Sequence, residues 1–350
     1  MARVWVAMSG GVDSSVAAAL LLEAGHEVTG VTMQLWPSGD AEGGCCSVVA
    51  VRDARRVCDL LGIAHYTLNY RDIFEREVIA RVAGEYGAGR TPNPCIDCND
   101  RVKFADLLAK TMTQGADALA TGHYARIVEG ADGEPSLARG LDAAKDQSYF
   151  LYRLTRAQMR HVLFPVGELE KDAVRAMAER FGLPVAAKAE SQDVCFAASG
   201  ELAAVVASRS AEAAVPGPIV DVDGRELGRH DGIGGFTVGQ RKGLGLGGTG
   251  EPLFVVAIEA RTATVVVGPR RALTSTRVEC TDVVWHAGDT ERVECAVRYR
   301  MPAVPATARY DGVRLTIELD EPVEAIAPGQ AAVCYRGDIV VGGGVIECAS

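Results

Sequence analysis

The run Ser9-Gly10-Gly11-Val12-Asp13-Ser14-Ser15 constrains the fold more than any other feature of the chain. It follows an apolar stretch, residues 4–8, that reads as a strand, and it leads into residues 14–23, rich in alanine and leucine, that read as a helix. Two adjacent glycines let the backbone turn its N–H groups toward an anion, and a helix N-terminus adds partial positive charge at the same place. Ser9, Ser14 and Ser15 add hydroxyl donors. Such a loop is built to hold phosphate. It lacks the Gly-Lys-Ser/Thr ending of a Walker loop, and with it the lysine that reaches the outer phosphates there.

The same alternation continues. Residues 26–35, 65–69 and 117–121 read as strands, and Val48–Leu61, 71–86 and 103–114 as helices. Strands alternating with helices of this length imply an α/β fold, a doubly wound and mostly parallel sheet whose ligands bind at the carboxyl ends of its strands. Beyond Phe196 the texture changes. After a last helical stretch at 201–208 come Pro216-Gly217-Pro218 and short strands punctuated by Asp223-Gly224, Asp231-Gly232 and Asp311-Gly312. At 350 residues the chain exceeds one core. The expected division is a phosphate-loop domain over 1–200, a small β-rich domain over 201–272 and a C-terminal β-barrel over 273–350.

A net charge of −10 argues against indiscriminate binding to nucleic acid, although local clusters such as Arg153, Arg156, Arg160 or Arg298, Arg300 leave room for a basic groove. A solvated face explains those clusters equally well. The opening residues show no secretory leader, and no apolar run approaches the roughly 18 residues of a membrane span. The expected location is the cytoplasm. There ten cysteines are not a disulfide framework. Cys45, Cys46, Cys58, Cys280, Cys295, Cys334 and Cys348 read as packing or surface residues. Cys95, Cys98 and Cys195 stand in unusual surroundings. Pro92 and Pro94 stiffen the segment before Cys98, which is expected just ahead of the helix carrying Lys103, a position that favours the thiolate. Cys195 closes the α/β region, before a predicted turn.

The loop resembles that of the ATP pyrophosphatases, Ser-Gly-Gly-x-Asp-Ser, which cleave ATP between its α and β phosphates and adenylate an oxygen; Asp13 is then a candidate Mg²⁺ partner. Further segments extend the resemblance over the whole chain: Met33 within residues 31–36, Thr91-Pro92-Asn93-Pro94, Thr121-Gly122-His123-Tyr124-Ala125, Lys145-Asp146-Gln147-Ser148-Tyr149-Phe150-Leu151, Ser191 to Cys195, and Gly239-Gln240-Arg241-Lys242-Gly243. Together they resemble the tRNA 2-thiouridylase family (MnmA), enzymes that place sulfur on the wobble uridine of tRNA. The resemblance implies that ATP adenylates the uracil 2-carbonyl, releasing pyrophosphate and then AMP. It implies that Cys195 carries a persulfide, that Cys98 is the second catalytic thiol, and that a cysteine desulfurase or sulfur-relay protein supplies the sulfur. It assigns ATP to Ala7, Met8, Ser9, Gly10, Gly11, Val12, Asp13, Ser14, Met33 and Gly122, and the target base to Asn93, Pro94 and Cys95. Contacts to tRNA fall to His123, Lys145, Asp146, Gln147, Arg298, Tyr299 and Gln330. Duller roles stay open: a core histidine at 123, a surface charge at Lys145, a core filler at Met33.

The chain departs from many members of that family at Cys95, where they carry an acid. Cys95 and Cys98 make a Cys-x-x-Cys pair, and with Cys195 they are a ligand set for a 4Fe–4S cluster with one open iron. The persulfide route is preferred. Two further readings remain, another adenylating ligase acting on a small molecule and a non-enzymatic tRNA-binding or sulfur-carrier protein.

Overall fold

The strands of the first part of the chain are β1 (Arg3–Ala7), β2 (Glu27–Gln34), β3 (Ala64–Asn69), β4 (Ala118–Ala120), β5 (Ala125–Glu129), β6 (Pro135–Arg139) and β7 (Val162–Leu163). Five of them form a sheet in the order β3-β2-β1-β4-β7, with every neighbouring pair parallel. The chain winds outward from β1 to β2 and β3, then returns to place β4 on its other side. The order therefore reverses between β1 and β4, and a crevice opens beyond their carboxyl ends. Val4, Val6 and Met8 of this region pack with Val16 and Ala17 of the helix Val12–Glu23, with Ala54 and Val57 of the helix Val48–Leu61, and with Val174 and Ala178 of the helix Lys171–Arg180.

The computed structural model describes residues 1–35, 48–189, 195–196, 201–247 and 251–350. Of the residues and segments named above, residue 36, Cys45, Cys46 and residues 191–194 lie outside the described residues. By its contacts the chain divides into two units, one of Met1–Glu77, Cys95–Ser199 and Asp338–Val340, the other of Val78–Pro94, Gly200–Gly337 and Val341–Ser350.

The second unit is β-rich, as expected. β8 (Gly217–Asp221), β9 (Glu226–His230), β10 (Phe254–Glu259) and β11 (Thr264–Gly268) make a small sheet in the order β10-β11-β8-β9 around Ile219, Val255, Val265 and Val267. Then β12 (Thr274–Trp285), β13 (Thr290–Ala296), β14 (Val304–Tyr310), β15 (Leu315–Glu324), β16 (Ala331–Arg336) and β17 (Ile339–Ala349) follow one another in the order β12-β15-β14-β13-β16-β17. Antiparallel pairing of β12 with β17, from Val278↔Ala349 to Trp285↔Gly342, closes them into a six-stranded barrel without a free edge. Among the described residues no helix is long and apolar enough to cross a membrane.

Three local features differ from the sequence reading. The helix expected to begin at 103 begins at Pro94, and the helical run 94–113 contains Cys98 at the start of a π-helical stretch, Cys98–Leu107. Proline at a first helical position is cheap, because its missing N–H would have no partner there anyway. Cys98 thus stands one turn inside the run rather than ahead of it. The run 71–87 likewise carries a π turn, Glu75–Ile79. Finally, β5 and β6 form an antiparallel hairpin that the sequence reading missed, with Ala125 opposite Arg139. Its turn signal, Asp132-Gly133, is the same type of dipeptide that marked turns in the second unit.

Candidate active site

The phosphate loop lies at the reversal point of the sheet, directly after β1. Gly11 caps the helix Val12–Glu23. Gly10 has φ +67°, and a Cβ there would lie 2.3 Å from the Ala50 carbonyl oxygen, so both backbone geometry and the neighbouring helix require glycine. The serines expected to face the ligand also fold the loop on itself. The Ser9 amide donates to Ser14 Oγ at 3.2 Å, Ser14 Oγ donates to the Gly11 carbonyl at 3.3 Å, and Ser15 Oγ donates to the same carbonyl at 2.7 Å. Ser15 is fully buried, so its hydroxyl secures the turn.

Gly122, the second residue after β4, closes the other side. An added Cβ would lie 2.5 Å from the Ser14 nitrogen and 2.7 Å from the Asp13 carbonyl carbon. Only a residue without a side chain lets this segment rest against the start of the helix. Ala7 is half-buried, whereas Met8 and Met33 are buried. The backbone around these residues is tied down by the Met8 amide on the Val31 carbonyl (2.7 Å) and by Thr32 Oγ1 on the Met8 carbonyl (2.9 Å).

Two lysines that sequence reasoning missed reach this loop. Lys171, buried at the start of its helix, donates to Asp13 Oδ1 at 2.6 Å, and the Tyr124 hydroxyl donates to the same oxygen at 2.7 Å. Asp13 Oδ1, the oxygen offered above as a Mg²⁺ partner, is thus already paired with the Lys171 ammonium. Lys188 Nζ donates to the Gly10 carbonyl at 2.9 Å and to Asp53 Oδ2 at 2.8 Å. The partners are separated by 158 and 178 residues, so no local pattern could have revealed them.

The two working thiols of the sequence reading lie in the same unit. Cys98 is buried and Cys195 half-buried. Phe196, next to Cys195, packs edge-on against Phe74 with ring centroids 6.1 Å apart, and the Arg71–Phe74 turn packs on the Cys98–Leu107 segment. Both cysteine segments therefore converge on one helical turn. Cys95 is exposed. Among the described residues, no group of three or more His, Cys, Asp and Glu is placed to hold a metal ion.

The remaining expected contacts divide by what their side chains already do. His123 is half-buried, with its ring between Phe104 and Phe164 and Nδ1 2.7 Å from Thr121 Oγ1. Burial, seconded by the Lys103 charge, holds it well below the ordinary histidine range, so it is neutral at pH 7. Asp146 accepts from the Gly140 and Ser148 amides, the Ser148 hydroxyl and Arg139, while Gln147 Oε1 accepts from the Tyr124 amide. These two shape the loop that presents Lys145. In the second unit, Gln330 Nε2 donates to the Thr91 carbonyl at 2.8 Å, and the Thr91 amide donates to the Pro328 carbonyl at 2.7 Å, which anchors the chain just ahead of Asn93 and Pro94. Arg298 is exposed in the connection between β13 and β14, and Arg300, at φ +63°, sets its guanidinium over the Tyr299 ring at 5.4 Å. The Arg153, Arg156, Arg160 groove does not stand as three uncommitted cations: each is paired, with Asp100 at 3.0 Å, Asp132 at 2.6 Å and Glu134 respectively.

Comparison with known proteins adds the family. Residues 2–199 match a family model described as a tRNA methyl transferase HUP domain, 205–269 a tRNA methyl transferase PRC-barrel domain, and 275–346 an aminomethyltransferase beta-barrel domain. The chain is 51% identical to tRNA-specific 2-thiouridylase MnmA of Chloroflexus aurantiacus over 99% of its own length and 98% of that protein. The chain belongs to the MnmA family. The enzyme of that name from Moorella thermoacetica is also 51% identical, over 98% of both chains, and that of Geobacter metallireducens is 47% identical over 99% and 97%. Membership of this family accords with a phosphate loop at the sheet reversal followed by β-rich modules ending in a barrel.

Proposed function

We propose that the chain is an ATP-dependent tRNA 2-thiouridylase acting on the wobble uridine. The observation that carries this reading is the match over 99% of the chain to proteins named for that activity, which spans the phosphate loop and both thiol segments. ATP would sit on the loop from Ala7 to Ser14 with Met33 and Gly122 beside it, and Mg²⁺, if held by Asp13, would exchange with Lys171. The target base would meet Asn93, Pro94 and Cys95, extruded from its stack because the reacting edge is otherwise out of reach. Lys145, Arg298 and Tyr299 would face the tRNA, with His123, Asp146, Gln147 and Gln330 shaping the surfaces around them. The three stretches 1–200, 201–272 and 273–350 are proposed as the functional modules.

The chemistry runs in three displacements. The uracil 2-oxygen attacks the α-phosphorus and pyrophosphate leaves. The outer sulfur of a Cys195 persulfide then attacks the activated carbon, and AMP departs with the original oxygen. The Cys98 thiolate takes the inner sulfur, breaking the S–S bond to the delivered atom and forming a Cys98–Cys195 disulfide. An external thiol reductant must open that bond before the next turnover, and a desulfurase or relay protein must reload Cys195.

Incubation with unmodified tRNA, ATP, Mg²⁺ and a persulfide donor, followed by digestion and mass spectrometry, tests the proposal. The expected product is 2-thiouridine, dependent on ATP and lost in Cys195→Ser. ATP cleavage to AMP without any need for RNA would point instead to a ligase of a small molecule. RNA binding that ignores ATP, with no product, would point to a carrier.

A further inference from the structure

The phosphate loop carries no lysine of its own between Ser9 and Ser15, yet Lys188 touches its backbone. A trans peptide points its C=O and N–H in opposite directions. The Lys188 ammonium, 2.9 Å from the Gly10 carbonyl oxygen, therefore fixes the direction of the Gly11 N–H on the other side of that peptide. The next carbonyl, Gly11 O, is held by Ser15 Oγ at 2.7 Å. Successive peptides pinned through their carbonyls are how a backbone nest for an anion is kept in shape without its ligand. Lys188 is itself held. Asp53 Oδ2 lies 2.8 Å from it, on the helix whose Ala50 backbone closes against Gly10. The Lys188 side chain is 37% exposed, so it is not sealed into the core.

We propose that Lys188 is a positioning residue for the nucleotide, one that sets the Gly10–Gly11 peptide and lends the loop the positive charge its sequence lacks. Asp53 is its anchor. The proposal rests on the reading of the loop as an ATP site.

Titration of ATP into the full chain by calorimetry, without tRNA, tests it in Lys188→Met, Lys188→Arg and Asp53→Asn. A charge-assisted contact predicts an ATP affinity about tenfold to a hundredfold weaker in Lys188→Met. Most of the loss should be regained in Lys188→Arg, and Asp53→Asn should lose less than Lys188→Met. In ATP–pyrophosphate exchange with tRNA present, the Met variant should raise KM for ATP. Equal affinity in Lys188→Met and the unaltered chain overturns the proposal, as does a loss that arginine leaves wholly unrepaired. If Lys188→Met does not fold, Asp53→Asn decides, and unchanged ATP affinity there overturns it. An unaltered chain that binds no ATP defeats the nucleotide reading itself, a result distinct from equal binding by both.

Discussion

Cysteines occupy both units, and those of the barrel differ in their surroundings from Cys98 and Cys195. In the barrel, Cys280, Cys295 and Cys334 are 0–1% exposed among Val278, Ala306, Leu315 and Ile317. Cys295 faces Cys334 across β13 and β16. A hydrogen bond donated to Cys295, together with burial, pushes the Cys334 thiol well above its ordinary range, and burial does the same for Cys280. These thiols are small apolar fillers on strands whose alternate residues point inward. Cys98 and Cys195 lie instead on segments that meet at the Arg71–Phe74 turn, in the unit that holds the phosphate loop. The same residue type is packing material in one setting and a candidate nucleophile in the other; Cys98 is buried as well, so what separates the groups is the strand wall around the one and the converging loop and helix segments around the other.

The largest expected effect tests that division directly. Cys195→Ser and Cys98→Ser should each lower 2-thiouridine formation by about a thousandfold or more, while ATP–pyrophosphate exchange with tRNA survives. Cys334→Ala should leave thiolation unchanged, and a barrel variant that abolished it with the fold intact would break the comparison. Gly122→Ala ranks next. Its Cβ meets the Ser14 and Asp13 backbone, so ATP affinity should fall and stability should drop by about 1–3 kcal/mol, read by calorimetry and urea unfolding. Cys334→Ala should cost about 1–2 kcal/mol in the same unfolding measurement, as a buried filler would.

Native-state alkylation at pH 8, followed by peptide mass spectrometry, sharpens the contrast further. Cys95, exposed, should react first. Cys348, exposed but raised by desolvation and the neighbouring Glu279, should lag. Cys280, Cys295 and Cys334 should be protected, as should Cys58, which burial pushes up to about 12. The smallest effect concerns His123, whose charge is suppressed by burial as the barrel thiolates are. Its folded pKa lies below the unfolded value of about 6.5. Stability from the neutral ring is therefore complete above that pH and is lost as pH falls below it. The slope is at most about 1.4 kcal/mol per pH unit, and His123→Gln should flatten it in unfolding measured from pH 7 to 5.

Local pattern carried much of this fold. The helix Val48–Leu61 was legible to the residue, and β1 to β4 to within one or two residues at each end, because hydrophobic period and glycine punctuation are properties of neighbours along the chain. The loop was legible for the same reason. The start of the 94–113 run was not, since a proline inside a helix and a proline opening one look alike until the preceding backbone is known. β7, two residues long, left too little pattern to read.

By itself, then, the sequence determined that a glycine loop follows a buried strand, that β structure succeeds α/β structure, and which family the chain resembles. The tertiary structure decided the partners. It placed Lys171 on Asp13 and Lys188 on Gly10, set Gly122 against the helix start, tied Gln147 to the Tyr124 amide, and sent Cys295 and Cys334 into the barrel wall. Each is a contact between residues far apart in the chain or a matter of which face is buried. Such contacts depend on how elements pack, and no window of neighbouring residues contains that information.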